Sequence, residues 1–287
     1  MLRAVVLRLR RRAGPPLDAA RSYDLTHGWL SHRLADWEAA TGRRLHGSGL
    51  ASASPLLDPA GAAVLAGPGA KAGLRIALLD DALAEAWEQK IAPGIVGELV
   101  RLGRTLYEVE GIAANPSAHP MAESWTPRDV EAWSEDRPAT PLRLGFITPT
   151  SFADVVVLPD GRRADRPVLV PDPVTVVQHL GRRWNALFPD RALPEGALTE
   201  LAHITAVVRI DALRTVAVPF RGGAVVGFVG SVAFGCLSRD QGGWMLLAQL
   251  LRFGTLAGIG RKTAFGFGLA TLFEEPTAVF TNRGDRT

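Results

Sequence analysis

Two stretches of this chain, residues 2–114 and 141–273, run through the same succession of hydrophobic patterns. That repetition limits the fold more than any single motif does. In the first stretch, residues 2–10 (LRAVVLRLR) predict a strand. Residues 22–41 predict a helix, because Leu30, Leu34 and Trp37 fall at helical spacing, with Ser22 or Asp24 available as its cap. Residues 52–66 and 72–79 predict two strands joined through GPGAKAG. Residues 80–92 open with two acids and carry Leu83, Ala86 and Trp87, which predicts a second helix. Residues 104–114 predict the last strand of the unit. The order β-α-β-β-α-β is that of the ferredoxin-like unit.

Residues 115–140 hold Pro, Ser, Glu and Asp without an apolar period, which predicts a linker or a long ordered loop. The pattern then restarts. Residues 141–147 predict a strand, and 173–187 a helix with Pro173 in its first turn. Strands are expected at 203–219 and 224–235, turning at Arg221-Gly222-Gly223. A helix is expected at 243–253 and a strand at 265–273. The repeat lies in element order, not residue identity. The expected architecture is therefore α+β, with two tandem ferredoxin-like domains at 1–137 and 138–287. At 287 residues the chain suits two cores of ordinary size, at ~150 residues each.

Composition narrows the class of partner. Hydrophobic residues make up 47% and charged residues 21%, a globular balance. The net charge is +3, but residues 1–137 sum to −1 and residues 138–287 to +4, so a polyanion meets the second half more readily. Lys71, Lys90 and Lys262 are the three lysines, and the other 29 basic residues are arginine. Arginine suits phosphate forks and base stacking, although a GC-rich genome produces the same bias. A single cysteine, Cys236, excludes an intramolecular disulfide and a cysteine-built zinc site. No apolar run reaches the ~20 residues of a membrane span. Arg3 and Arg8 interrupt the first apolar stretch, so it does not read as a secretory signal. The expected location is the cytoplasm, with no membrane partner.

Chemistry concentrates in two places. The first is a glycine-rich run holding Gly258, Gly260, Arg261, Lys262, Thr263, Gly266 and Gly268. Glycines admit a close backbone approach, successive amides form an anion nest, and the two cations add full charge. The run lacks Walker spacing, and it follows a helix and opens a strand, the reverse of a dinucleotide fingerprint. A helix cap followed by a bulged strand is the plain structural alternative. The second place holds His27, His32 and His46. Five residues separate His27 from His32 by about 140° on a helix, so they do not share a face. His27 shares one with Ser31. His32 points away from the side of Leu30, Leu34 and Trp37, and His46 sits in a turn before Gly47 and Gly49. No HExxH or cysteine partner supports a metal site, so neither metal nor cofactor is expected. His119, His179 and His203 carry no pattern of their own.

The segments THGWLSHRLADWEAATGRRLH (26–46), SPLL (54–57), LGFITPTSF (144–152) with PDPVTVVQHLGRRWNAL (171–187), and VVGFVGSVAFG (225–235) with LLRFGTLAGIGRKTAFGFG (250–268) stand in this order along the chain. Together they resemble the CRISPR-associated protein six family, the repeat-RNA endoribonucleases of the RAMP superfamily. The resemblance implies two ferredoxin-like folds and metal-independent cutting of CRISPR repeat RNA. The ribose 2′-hydroxyl attacks the adjacent phosphate, leaving 2′,3′-cyclic phosphate and 5′-hydroxyl ends. It implies His46 as the catalytic histidine, with His27 favoured over His32 as the second group. Ser31 stands where some members have tyrosine, and GSGLASAS at 47–54 lacks the lysine some members place there. It implies RNA binding by Gly258, Gly260, Arg261, Lys262, Thr263, Gly266 and Gly268, and by Thr148 and Thr150 of the TPTSF loop. Repeat RNA (pre-crRNA or crRNA) is the implied partner, while subunits of a CRISPR interference complex and a second copy of the chain remain open. Two other functions stay open beside this one. One is a RAMP subunit that holds crRNA without cutting it. The other is a phosphate-binding regulatory α+β protein, against which the TPTSF loop and the duplicated pattern argue.

Overall fold

The computed structural model describes residues 1–45, 47–61, 70–238 and 240–273. Its first unit is organised by β1 (Leu2–Ala13), a strand buried on both faces over most of its length. Val5, Leu7 and Leu9 pack beneath helices with Leu30, Leu34 and Trp87, while Val6 meets Leu57, Met121 and Leu269 on the opposite face. Apolar residues on both faces make this a central strand, and beyond Arg3 the charges gather from Arg8 onward as the second face opens.

Helix α1 (Ala19–Arg33) follows, capped by Asp18, whose carboxylate accepts from the Ala20 amide at 2.9 Å. Neither expected cap serves. Ser22 is buried and accepts from the Leu56 amide, and Asp24 pairs with Arg221. The single helix expected over 22–41 breaks at Leu34 into α1 and α2 (Ala35–Thr41), which ends on the left-handed residue Gly42. Strand β2 (Ala51–Ala53) is much shorter than the expected 52–66, because Pro55 has no amide to donate and Leu57 makes only an isolated bridge to Gly73. The later part of that expected strand, 62–69, lies outside the described residues. Next come β3 (Lys71–Leu78) and α3 (Asp81–Ala86), capped by Asp80. A π turn at Trp87–Ile91 leads into α4 (Ala92–Ile95), where Pro93 removes an amide donor. Strands β4 (Leu99–Leu102) and β5 (Thr105–Ala113) close the unit as a hairpin; the sequence pattern does not show β4. The antiparallel order is β2-β3-β1-β5-β4.

Residues 115–140 are more than a linker. Strand β6 (Glu123–Trp125) pairs with Leu2–Ala4, and α5 (Pro127–Glu135) begins with a capping box between Thr126 and Asp129. Threonine, proline and the acid at the third helical position are the local signal for this helix.

In the second unit β7 (Leu142–Thr150) runs directly into an exposed hairpin, β8 (Phe152–Val157) and β9 (Arg163–Val168). Helix α6 (Pro173–Leu187) has the expected bounds, with Asp172 accepting from the Thr175 amide at 2.8 Å. Helix α7 (Glu195–Ile204) is an addition to the expected order. A long hairpin follows, β10 (Thr205–Phe220) and β11 (Gly223–Cys236), then α8 (Gln241–Ala257) and β12 (Ala270–Phe273). The order is β10-β11-β7-β12. Both sheets thus set the first strand of the unit between its third and last, the ferredoxin-like arrangement made twice. Leu180, Trp184, Leu250 and Phe253 fill the second core, which extends to Leu2 and Ala4 of β1. Arg75 and Arg252 flank Glu123 between the units, with Arg252 2.6 Å and Arg75 4.0 Å from its carboxylate.

Candidate functional site

The last strand starts later than expected because residues 258–269 form a loop laced to the segment after β7. The Gly268 amide donates to the Pro149 carbonyl at 3.1 Å, and the Ile259 amide to Gly268 at 2.8 Å. The Arg261 amide donates to the Ser151 carbonyl at 2.9 Å. The Thr148 hydroxyl donates to the Gly266 carbonyl and accepts from the Leu269 amide, both at 2.8 Å. Thr148 and Thr150 have no exposed surface, and Thr150 donates its hydroxyl to the Thr148 carbonyl. Their side chains therefore brace the loop from inside. Gly260, Gly266 and Gly268 are required by geometry, Gly268 because a Cβ there would lie 1.9 Å from the Ile259 oxygen. At Gly260, with φ of +93°, a Cβ would lie 2.5 Å from the Ser151 oxygen; at Gly266, with φ of +81°, it would lie 2.5 Å from the Ala53 oxygen of the other unit. Several of the amides expected to form an anion nest are thus spent within the protein.

What the loop presents outward is charge. Arg261 and Lys262 are exposed, and Thr263 is half-buried. Arg261 forms an ion pair at 2.6 Å with Asp165 on β9. Lys262 adopts a left-handed backbone, φ +58°, and sets its ammonium 5.2 Å from the centre of the Phe220 ring. A third cation belongs to a segment that the sequence marks only as a turn. Arg221, also left-handed at φ +48°, sits at the tip of the β10–β11 hairpin. Its guanidinium lies 4.5 Å from the Phe265 ring centre and 2.7 Å from Asp24 of α1. The signal for it is Arg-Gly-Gly after an aromatic residue, where a two-residue hairpin turn must display its first side chain.

His27 enters the same corner from α1. Its Nδ1 is 3.1 Å from the Ala264 carbonyl oxygen, and its ring centre is 4.0 Å from that of Phe265. A carbonyl can only accept, which assigns the hydrogen to Nδ1 and leaves Nε2 as the basic nitrogen of the neutral ring. Phe265 packs edge-on against Phe220, and Tyr23 stacks on Phe267 at 4.3 Å. Burial pushes the Tyr23 phenol well above its ordinary value, so it keeps its proton near neutrality. His27, Arg221 and Lys262 therefore share an aromatic floor where α1, the hairpin tip and the glycine-rich loop converge.

The remaining histidines divide by surroundings. His32 is exposed on α1. His46 lies outside the described residues. On its N-terminal side, Leu45 is buried, donates its amide to the Glu38 carboxylate and accepts from the Ser48 hydroxyl. On the other side, Gly47 and Gly49 hold positive φ. His119 is buried and accepts the Met121 amide through Nδ1. His179 on α6 carries no sequence pattern, yet its Nε2 accepts the Gly260 amide at 3.1 Å. Burial first, and then Arg183 and Arg182, lower its pKa to about 4, which keeps it a neutral acceptor. Arg183, one turn on, donates to the Gly258 carbonyl at 3.2 Å, the Thr263 hydroxyl at 3.0 Å and the Gly49 carbonyl at 3.1 Å. Among the described residues, no group of three or more His, Cys, Asp or Glu side chains is placed to hold a metal ion, and no helix is long and apolar enough to cross a membrane.

Comparison with known proteins places this corner in context. The family model of the CRISPR-associated endoribonuclease Cas6 matches residues 144–270. A Cas6 product complex (TTHB231, from Thermus thermophilus) is 26% identical, with a TM-score of 0.69, covering 95% of this chain and 100% of that one. A second Cas6 product complex (TTHA0078) is 25% identical, with a TM-score of 0.71, covering 95% and 99%. A Cas6-related protein from Pyrococcus furiosus shares the fold at 12% identity and a TM-score of 0.62, covering 96% and 100%. No curated protein matches the chain.

Proposed function

We infer that this chain, which is similar to the Cas6 CRISPR-associated endoribonucleases over residues 144–270 and in its fold, is a processing enzyme for CRISPR repeat RNA, and we propose its chemistry and its site. Similar proteins are described as complexes with product and with a substrate mimic, and repeat RNA is the ligand proposed here. Residues 1–137 supply the proton-transfer groups and residues 138–287 the surface that holds the RNA. The observation carrying this assignment is the junction of His27 with Arg221 and Lys262 over Phe220 and Phe265.

The reaction needs no imported nucleophile. The ribose 2′-oxygen attacks the adjacent phosphorus as a base takes its proton. The bond from phosphorus to the 5′-oxygen breaks as an acid protonates that oxygen. A cyclic phosphate and a 5′-hydroxyl remain. His46 is proposed as one proton-transfer group and His27 as the other, each contributing roughly 10²–10⁴-fold. Charge builds on the non-bridging oxygens in the phosphorane, and cations placed in advance stabilise it more than they stabilise the ground state. Arg221 and Lys262 are the groups proposed for that task. Arg261, paired with Asp165 as Arg221 is with Asp24, and the backbone of Gly258, Gly260, Thr263, Gly266 and Gly268 shape the loop that meets the RNA. Thr148 and Thr150 act behind it.

The test uses repeat RNA with and without a single 2′-deoxy substitution at the cut, in excess chelator. Cleavage of the all-ribose strand with none of the deoxy strand is expected. Loss of cleavage on chelation, or cutting of the deoxy strand, refutes this chemistry.

A further inference from the structure

Sequence reasoning finds two functional segments, His46 with the glycines that follow it and the glycine-rich loop at 258–268, but no link between them. One side chain on α6 supplies the link. Arg183 donates to the Gly49 carbonyl of the first segment and to the Gly258 carbonyl and Thr263 hydroxyl of the second, 134, 75 and 80 residues away. Among the described residues its acceptors are two main-chain carbonyls and a hydroxyl, none of them a carboxylate. Burial lowers its pKa to about 10, so it remains charged at neutral pH. A half-buried guanidinium held by neutral acceptors gains little stability for its desolvation cost. Its planar fork, however, fixes the relative positions of the groups it joins, which an ammonium does not.

Two further observations point the same way. Gly49 has φ of +72°, and a Cβ there would lie 3.3 Å from Arg183 Nη2, so the turn approaches the guanidinium where glycine is required. Arg183 is also one of the charges that keep His179 neutral, and His179 accepts the Gly260 amide. The arginine therefore acts on the loop at Gly258 and Thr263 directly and at Gly260 through its neighbour.

We propose that Arg183 is a positioning residue that holds residues 47–50, which follow His46 in sequence, against the glycine-rich loop, so that this segment and the RNA-holding surface keep one relative position. This rests on the reading of the chain as a repeat-RNA endoribonuclease. Arg183 touches no reacting atom in this scheme. Its removal should lower the rate of the bound complex more than the affinity for RNA.

The experiment compares the parent with Arg183→Gln, Arg183→Lys and Arg252→Gln; the last weakens a different contact between the units, the pair with Glu123. Single-turnover cleavage is measured at saturating protein, RNA affinity separately, and amide hydrogen exchange over 47–50 and 258–263 without RNA. Arg183→Gln is expected to slow cleavage about 10- to 100-fold, the scale of a misplaced reacting group, while affinity changes less than the rate and exchange speeds up in both segments. Arg183→Lys, which offers one point of charge in place of a fork, should recover part of the rate and supplies the result if the Gln variant does not fold. Arg252→Gln should lower stability without slowing the saturated reaction. A parental saturated rate in folded Arg183 variants overturns the proposal, as does an equal slowing in Arg252→Gln. If the parent cuts no repeat RNA, the enzyme reading fails by itself, and exchange then decides the clasp: unchanged protection at 47–50 overturns it, and joint loosening of both segments supports it.

Discussion

Replacing Gly260 with alanine separates the loop's architecture from its charge. At φ of +93° the backbone is in a region that side chains strain, and the new Cβ would sit 2.5 Å from the Ser151 oxygen. Neither side can yield cheaply, since Ser151 follows β7 and its carbonyl already accepts the Arg261 amide. Backbone strain of this kind costs about 1–3 kcal/mol. Relief by moving the loop would break the Arg261–Ser151 bond and the bond from the Gly260 amide to His179, at about 1 kcal/mol each. The expected loss is therefore about 3 kcal/mol, a sizeable share of a typical 5–15 kcal/mol stability. Equilibrium urea unfolding, followed through the buried Trp184 on the helix that carries His179, is the assay. The Arg261→Ala, Lys262→Ala double variant should unfold near the parental midpoint, because both side chains are exposed. A Gly260→Ala protein that unfolds with the parent would refute the account of the loop as internally bonded.

Charge removal should act on RNA instead. Replacing Arg221 and Lys262 with alanine is expected to weaken repeat-RNA binding and flatten its salt dependence by about 0.7 in log–log slope for each phosphate no longer neutralised; a salt titration with an unchanged slope places the RNA path elsewhere. Among the histidines, His46→Ala should slow saturated cleavage by roughly 10²-fold or more, His27→Ala less, and His32→Ala least, with parental cutting by His46→Ala contradicting its assignment. The half-buried His179 predicts a pH effect of definite sign. Unfolded, it takes up a proton near its ordinary value of 6.5, and folded only near 4, so stability should fall as pH drops through this window and be insensitive to this group above it. His179→Gln keeps an acceptor for the Gly260 amide and should shed that part of the acid sensitivity; identical pH–stability curves for variant and parent would count against a ring held neutral in the fold.

Much of the fold is legible because hydrophobic period and helix termini are local properties. Helix α6 is readable to its ends, since Asp172 and Pro173 mark its start and its apolar spacing persists to Leu187. Strand β1 is readable from its apolar run, and the β10–β11 turn from Arg221-Gly222-Gly223. The elements that escape such reading do so for physical reasons. Strands β4 and β6 are too short to show a period, and β6 exists through its pairing with Leu2–Ala4. The broken helix at Leu34 and the π turn before Pro93 are adjustments that average periodicity smooths over.

The sequence by itself determined the duplicated element order, the more basic second half and the glycines at which the chain must turn, because each depends on composition or near neighbours. Only the tertiary structure decided what those glycines do. The amides of Gly260, Arg261 and Gly268 find His179, Ser151 and Pro149 far back in the chain. Tertiary structure likewise brought His27 onto Ala264, set Arg221 over Phe265 beside it, and gave Arg183 acceptors in both functional segments. A buried polar group must find a partner wherever the fold brings one, and that partner's distance along the chain leaves no trace in local pattern.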